Sequence, residues 1–292
     1  MKWWLFFLAA VVFGVSSAQA ATQPSADLTA KGRYLFALGG CGNCHTAKGG
    51  PENAGGRPVE IPGGIVYSTN ITPDKETGIG SWTDAQIVAS IRLGVRPSGQ
   101  KLIPAMPYTS FSGMADEDLR ALVAYLRTLK PVRNPNRPEK VKLPFLRTIF
   151  IPLWYRIYFR PLAHPIRAPE EGPPRGEYLA SSVGHCTECH TPRGLNGVPK
   201  RALYLAGNPQ EIEEGSLASN ITPDKKTGIG DWSQDEIEDY LRTGFRPDGD
   251  TAQGLMAELI KGGFKEISPA DAKAIAAYLK QVPAISHLMK KK

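Results

Sequence analysis

Residues 41–45 read CGNCH and residues 186–190 read CTECH, and these two C-x-x-C-H motifs contain all four cysteines of the chain. This spacing is typical of covalent haem attachment: two thiols one short turn apart add to the two vinyl groups of a porphyrin, and the adjacent histidine reaches the iron. The motifs therefore predict two c-type haems. The predicted attachment residues are Cys41, Cys44, Cys186 and Cys189, and the predicted axial ligands are His45 and His190.

Other uses of these cysteines explain less of the pattern. Structural zinc takes four nitrogen or sulfur ligands, and each motif supplies at most three. A thioredoxin-like pair or a disulfide framework gives the adjacent histidines no role, and four cysteines are few for a disulfide-stabilised chain of 292 residues. Haem attachment accounts for every cysteine and for both histidines.

The N-terminus has the pattern of an export signal. Lys2 precedes an apolar run over residues 3–13, and residues 18–20 read AQA, a small-residue cleavage site. The apolar run is shorter than the roughly 20 residues that a membrane-spanning helix needs. We expect residues 1–20 to be a signal peptide and the mature protein to be periplasmic, either soluble or peripheral on the inner membrane.

An internal repeat divides the chain. Residues 70–82 recur as residues 220–232 at an offset of 150, and the haem motifs lie at an offset of 145. Such self-similarity indicates duplication of one structural unit. We expect a mainly α fold of two tandem domains, each wrapped around one haem. The predicted parts are a signal peptide over 1–20, a first domain over 21–130, a proline-rich linker over 131–173 and a second domain over 174–292.

Helix start signals recur in both halves. Thr83 and Ser233 each begin a capping box, in which the hydroxyl and the side chain three residues later satisfy amides at the helix end. Ser268 and Pro269 suit the N-cap and first positions of the last helix. A further helix is expected to run into each haem motif.

Met106 and Met256 are the predicted sixth ligands. A thioether is a suitable neutral ligand for haem iron, and pairing it with histidine raises the reduction potential. These two methionines lie at the repeat offset of 150, whereas Met114 has no counterpart and is interpreted as core filler. His164 and His287 are alternatives to Met256.

Donor side chains that occur in both halves are candidates for binding the haem propionates, which need such donors when partly buried. Ordinary turn and packing contacts are the alternative interpretation of the same residues. His185 is too close to its own motif to cross to the opposite haem face, so we expect it to contact a propionate or solvent. The repeated candidates are Trp82, Arg96, Trp232 and Arg246, with Asn70 and Asn220 as weaker ones.

Taken together, these motifs resemble the cytochrome c subunits of bacterial periplasmic dehydrogenases, including those of alcohol and gluconate dehydrogenases. The resemblance covers residues 30–130 and 172–283, although the best known of those subunits have three haem motifs instead of two. It implies two class I-like cytochrome c domains, with Met106 serving the first haem and Met256 the second. It also implies a close crossing of the first and last helices of each domain, at Gly32 with Tyr125 and at Gly176 with Tyr278.

The expected function is electron transfer without catalysis. A periplasmic dihaem cytochrome c would take electrons from a dehydrogenase or a quinol-oxidising partner and pass them to a downstream acceptor. The alternative is a dihaem redox enzyme, such as a peroxidase or a thiosulfate dehydrogenase-like protein, which needs an open iron position or a fifth cysteine. A nucleic-acid partner is not expected for an exported chain.

The linker contains most of the positive charge. Residues 131–173 have eight Lys or Arg and three Asp or Glu, a net +5 of the chain's +7. Within it, residues 143–159 are strongly apolar and are interrupted by Arg147 and Arg156. We favour a short helix packed between the domains, because apolar segments are usually buried. The alternative is a docking surface for a dehydrogenase or for a membrane face.

Overall fold

The computed structural model describes residues 25–142, 145–164, 166–213 and 216–288, and the predicted signal peptide lies outside these ranges. The described residues form a mainly α fold, as expected. The helices are α1 (Ala26–Leu38), α2 (Cys41–His45), α3 (Asp84–Leu93), α4 (Tyr108–Phe111), α5 (Asp116–Thr128), α6 (Ile151–Tyr158), α7 (Gly172–Tyr178), α8 (Cys186–His190), α9 (Gln234–Thr243), α10 (Gly254–Gly262) and α11 (Pro269–Leu279). Two π-helical turns, Leu146–Phe150 and Leu179–Val183, extend α6 and α7.

The described residues include five short strands, which form two small sheets. The first is antiparallel with the order β1 (Pro58–Ile61), β2 (Gly64–Tyr67) and β3 (Lys140–Val141). The second is a pair of β4 (Asn208–Glu213) and β5 (Ser216–Ala218). Because β3 belongs to the predicted linker, the linker adds a strand to the first half before it continues to the second.

Each half is built on the crossing of its first and last long helices. A Cβ built on Gly32 of α1 would lie 1.9 Å from the carbonyl oxygen of Ala121 and 2.8 Å from Cβ of Tyr125 in α5. The second half repeats this contact, since a Cβ on Gly176 of α7 would lie 1.9 Å from the carbonyl oxygen of Ala274 in α11. The predicted glycine crossings are confirmed: only a residue without a side chain lets these backbones approach so closely.

Replacing Gly32 with alanine should destabilise the first half by about 1–3 kcal/mol, the usual cost of overpacking a core. Alanine has the higher helix propensity by about 1 kcal/mol, which acts in the opposite direction. A net loss of stability in urea unfolding, followed by helical circular dichroism, can therefore come only from the crossing with α5. A more stable variant would show that the helices can separate without cost.

The predicted helix starts are also confirmed. Thr83 Oγ1 accepts a hydrogen bond from the backbone N–H of Gln86 at 3.2 Å, and Ser233 Oγ accepts from Glu236 at 3.2 Å, both within complete capping boxes. Ser268 caps α11, where Pro269 occupies the first turn. These caps determine where α3, α9 and α11 begin.

The two halves pack directly against each other through contacts that are repeated in both directions. The hydroxyl of Tyr178 in α7 donates to the buried carboxylate of Asp118 at 2.5 Å and accepts from the backbone N–H that begins α5 at 3.1 Å. In return, Tyr34 in α1 donates to Asp271 at 2.7 Å and accepts from the N-cap N–H of α11 at 3.2 Å. This interface is therefore pseudo-twofold.

The predicted helix of the linker is present as α6, and it packs chiefly on the first half. Ile151 is buried with Val66 of β2 and Ile103, and the Phe159 ring lies edge-on to Tyr108 with centroids 5.2 Å apart. Its contact with the second half is a hydrogen bond from Trp154 Nε1 to the carbonyl of residue 196, at 2.7 Å. The expected position between the domains is therefore only partly correct.

No helix within the described ranges is long and apolar enough to cross a membrane.

Candidate haem sites

The two motif histidines are held in the same orientation. Nδ1 of His45 lies 2.6 Å from the carbonyl oxygen of Thr69, and Nδ1 of His190 lies 2.6 Å from that of Ser219. A carbonyl can only accept, so Nδ1 carries the proton and Nε2 keeps its lone pair for a metal. Burial lowers the pKa of both imidazoles, which keeps them in the neutral form that binds metal.

A crevice of about 180 Å³, partly open to solvent, lies beside His45 in the first half. Cys44, His45 and Met106 all line it, so the structure brings three of the predicted haem residues together. The rest of the lining is largely apolar, which suits a flat macrocycle with a hydrophobic ring system. The apolar wall includes Val66, Ile79, Ile87, Ile91, Leu102, Ile103 and Leu126. The donor set and the lining therefore fit a covalently attached haem.

The two candidate methionines have different backbones. Met106 lies in an irregular loop, where its N–H donates to the carbonyl of Ile103 at 3.2 Å and Pro107 follows. Met256 lies in the first turn of α10. Both are half-buried at the edge of the core, while Met114 is 1% exposed inside it, as the core-filler interpretation predicts.

The alternative histidine ligands have other contacts. His164 lies against the first half, with Nδ1 3.9 Å from Asp116 Oδ1. His287 Nδ1 lies 2.9 Å from the carbonyl oxygen of Ala206. The first half makes the equivalent contact with Asn134, whose side chain donates to the carbonyl of Ala54 at 2.8 Å. His287 therefore has the structural role in the second half that Asn134 has in the first.

The four main propionate candidates are placed unequally. Trp82 and Arg96 both line the crevice of the first half. Arg246 instead pairs with Asp248 at 2.8 Å, and its side chain is 42% exposed. The Trp232 ring packs edge-on against Tyr240, with centroids 5.5 Å apart. The repeated tryptophan and arginine therefore have different surroundings in the two halves.

The weaker candidates Asn70 and Asn220 are wrong as propionate donors, because the fold uses their donor groups. Asn70 Nδ2 donates to the carbonyl of Val132 at 2.7 Å, and Asn220 Nδ2 donates to that of Ile285 at 2.8 Å. Both side chains are about 2% exposed. They fasten each repeated loop to the segment that follows the last helix.

His185 contacts the other half of the molecule, contrary to the expected propionate or solvent contact. Its Nε2 lies 3.2 Å from the carbonyl oxygen of Gly39, and its ring is edge-on to Phe111 at 5.4 Å. Its φ of 40° matches the left-handed conformation of Gly40 before the first motif, where φ is 59°. The turn into each haem motif thus requires the same unusual backbone.

Both haem-attachment turns face the interface between the halves. Asn43 in α2 donates to the carbonyl of Glu258 in α10 at 2.9 Å. Reciprocally, Ser110 in α4 donates to the Glu188 carboxylate in α8 at 2.5 Å. Each attachment turn therefore touches the helix associated with the other half's candidate methionine.

Arg147 and Glu139 are site residues that the sequence analysis did not identify. Both come from the linker and line the crevice with Arg96. In the sequence, Arg147 only interrupts an apolar run and has no counterpart in the other half. Its contact with the crevice depends on the fold of β3 and α6.

The sequence profile of one protein family, cytochrome c, matches residues 29–130 and 175–283. The chain belongs to the cytochrome c family. The matched segments fall on both halves, and each contains its own C-x-x-C-H turn. Covalently bound haem is therefore the cofactor of this cytochrome, and its fold is that of tandem cytochrome c domains.

Similar curated proteins include a "Diheme cytochrome c-type" from Cereibacter sphaeroides, 37% identical over 265 residues, which covers 87% of this cytochrome and 86% of the relative. The gluconate 2-dehydrogenase cytochrome c subunit of Pantoea cypripedii is 37% identical over 287 residues, 94% of this cytochrome and 64% of the relative. The cytochrome c subunit of a quinone alcohol dehydrogenase from Gluconacetobacter polyoxogenes is 38% identical over 290 residues, which covers 96% of this cytochrome and 61% of the relative. The cytochrome spans less than two thirds of these two dehydrogenase subunits.

Proposed function

We propose that this cytochrome carries two haems and transfers electrons from a dehydrogenase or quinol-oxidising partner to a downstream acceptor. The observation that carries the proposal is the interface, where both attachment turns meet the opposite half. Electrons entering at one haem site then have a short protein path to the other. The dehydrogenase subunits among the relatives support a dehydrogenase as the donor.

The first haem is bound through Cys41 and Cys44, with His45 and Met106 on its iron. The second is bound through the four equivalent residues. A bound haem supplies reversible one-electron chemistry, and two protein ligands on each iron leave no position for a substrate. The fixed Nε2 orientation of each histidine supports the assignment. The equivalent residues of the second site are Cys186, Cys189, His190 and Met256.

The proposed domains are residues 21–130 and 174–292, joined by residues 131–173. The end of α5 at Thr128 and the start of α7 at Gly172 support these boundaries. A periplasmic location accompanies the proposal, supported by the predicted signal peptide over residues 1–20 and by covalent haem attachment.

A redox titration of the purified holoprotein tests this function. We expect two one-electron steps at fairly positive potentials, because methionine ligation raises the potential of haem iron. We also expect no binding of carbon monoxide by the reduced protein. Carbon monoxide binding would show an open iron and favour the dihaem enzyme, and a strongly negative step would indicate bis-histidine ligation.

The outer face of the linker supports a peripheral contact with an anionic membrane. Ile149, Phe150 and Leu153 are each more than half exposed, and Ile157 lies one turn further on the same helix. Residues 140–168 contain six Lys or Arg and no Asp or Glu. A short amphipathic helix with cations beside exposed aliphatic and aromatic side chains suits the interface of anionic lipids.

Flotation with phosphatidylglycerol vesicles tests the contact. The double variant Ile149→Ser, Leu153→Ser should reduce binding about tenfold, since it removes two apolar side chains that are more than half exposed. Phe245→Ser is the matched control, because Phe245 is 59% exposed and belongs to the second half and not to the linker. Equal binding by the double variant would contradict the contact, and no binding by the unmodified cytochrome would favour a protein partner for this face.

A further inference from the structure

Two guanidinium groups enter the crevice of the first half from different parts of the chain. Arg96 follows α3, and Arg147 lies in the π-helical turn of the linker. The linker is fixed there by the pairing of Lys140 with Ile65 in β2 and by the burial of Ile151 against Val66. The position of Arg147 is therefore part of the fold.

The guanidinium of Arg147 is bound by Glu139 and by the backbone carbonyl of Lys101. Its Nε donates to Glu139 at 2.9 Å, its Nη2 forms an ion pair with the same carboxylate, and its Nη1 donates to the carbonyl of Lys101 at 3.0 Å. A guanidinium has five N–H donors, so donors remain for a further acceptor. Arg96 makes no side-chain hydrogen bond or ion pair with any described residue.

The crevice therefore has an excess of positive charge. The charged side chains that line the crevice are two guanidiniums, those of Arg96 and Arg147, and one carboxylate, that of Glu139. Burial lowers the pKa of both arginines, and the charge of Arg96 lowers the pKa of Arg147 further. Like charges brought together in a partly buried site are stabilised when an anion binds between them, and carboxylates bind guanidiniums with particular strength.

We propose that Arg96 and the linker residue Arg147 together bind a propionate of the first haem, so that the linker sets the reduction potential of that haem. The inference rests on the haem binding proposed above. Positive charge beside the propionate favours the reduced haem, which has one positive charge less than the oxidised form. Arg147 is thus a positioning and tuning residue.

The second half offers a weaker counterpart. Arg246 corresponds to Arg96, but it is paired with Asp248 at 2.8 Å and lies 3.7 Å from Asp250. The first half has Ser98 and Gln100 at those two positions, so Arg96 is not neutralised in this way. We therefore expect the first haem to have the higher potential and to be the one that is reduced when a single electron is present.

Spectroelectrochemical titration of the full holoprotein tests the proposal. Arg147→Gln should lower the equilibrium constant for reduction of the first haem about tenfold, which is about 59 mV for a one-electron couple. The step of the first haem is identified as the one that Met106→Ala changes. Arg147→Lys should retain much of the potential, because it keeps the charge. Arg156→Gln is the matched control, since it removes the same charge from an exposed position in the same linker.

Glu139→Gln provides a second arm with the opposite sign. It leaves Arg147 in the chain and removes the negative charge beside it, so the potential of the first haem should rise. The absorption band of each methionine sulfur-to-iron bond shows whether a variant keeps its ligands. Unchanged potentials of the first haem in both Arg147→Gln and Glu139→Gln, with both bands retained, would overturn the proposal. Equal shifts of the potentials of both haems in these variants would also overturn it. If the titration of the unmodified protein does not show two reversible one-electron steps, the proposed electron-transfer function is contradicted. This result differs from unchanged potentials in the variants, which contradict only the role of Arg147.

Discussion

Replacing Cys41 and Cys44 together with serine is expected to remove one of the two proposed covalent haems of each chain. Serine cannot form the thioether bonds, so haem one would be held only by its axial ligands and would be extracted by acidified organic solvent. Without thioether bonds this haem can also dissociate from the native protein and leave the crevice without its apolar filling, so the first half should unfold at lower urea concentration than the second. Haem content by pyridine haemochrome and by mass spectrometry measures the change.

The same pair of substitutions in the second half is the matched control. Cys186→Ser with Cys189→Ser should remove the other haem and leave the crevice beside His45 filled. Covalent retention of two haems in either double variant would refute the attachment assignment. Loss of both haems from one double variant would show that the halves cannot mature independently.

Met106→Ala should have the second largest effect. In the proposed ligation, removing the sulfur would leave the first iron with His45 alone, so one of two sulfur-to-iron absorption bands should disappear and carbon monoxide should bind to half of the reduced haem. The equilibrium constant for reduction of that haem should fall at least about tenfold, because methionine ligation raises the potential. Met256→Ala should do the same to the second haem.

Met114→Leu is the control for these substitutions. Met114 is buried in the core, and leucine has a similar volume, so the expected cost is below about 1.5 kcal/mol and both bands should remain. Retention of the full band intensity in Met256→Ala would reject that methionine and favour His164 or His287 as the ligand.

The features predicted from sequence are those that short-range chemistry or the repeat determines. The capping boxes at Thr83 and Ser233 depend on residues three apart. The glycine crossing at Gly32 follows from a family resemblance and a residue that recurs as Gly176. A repeated residue still did not reveal its role: Asn70 and Asn220 recur because each holds a loop, and not because each binds a propionate.

Contacts between distant segments could not be predicted. Tyr34 and Tyr178 recur at one offset and Asp118 and Asp271 at another, but only the packed fold shows that each tyrosine bonds to the aspartate of the opposite half. Arg147 has no repeat partner, and its place in the crevice depends on a strand pairing that the linker sequence does not signal. His185 follows the same rule, because its neighbours in sequence suggest only local contacts while its partner, Gly39, belongs to the other half.

The reciprocal tyrosine and aspartate contacts have an evolutionary consequence. Residue i of one half touching residue j of the other, and the reverse, is the isologous geometry by which two identical chains form a twofold dimer. A single-copy ancestor with the same tyrosine and aspartate would pair with itself through this surface. Fusion of two such copies would make the pairing intramolecular and independent of protein concentration. It would also release each copy from symmetry, which is consistent with Asp248 and Asp250 in one half where Ser98 and Gln100 stand in the other.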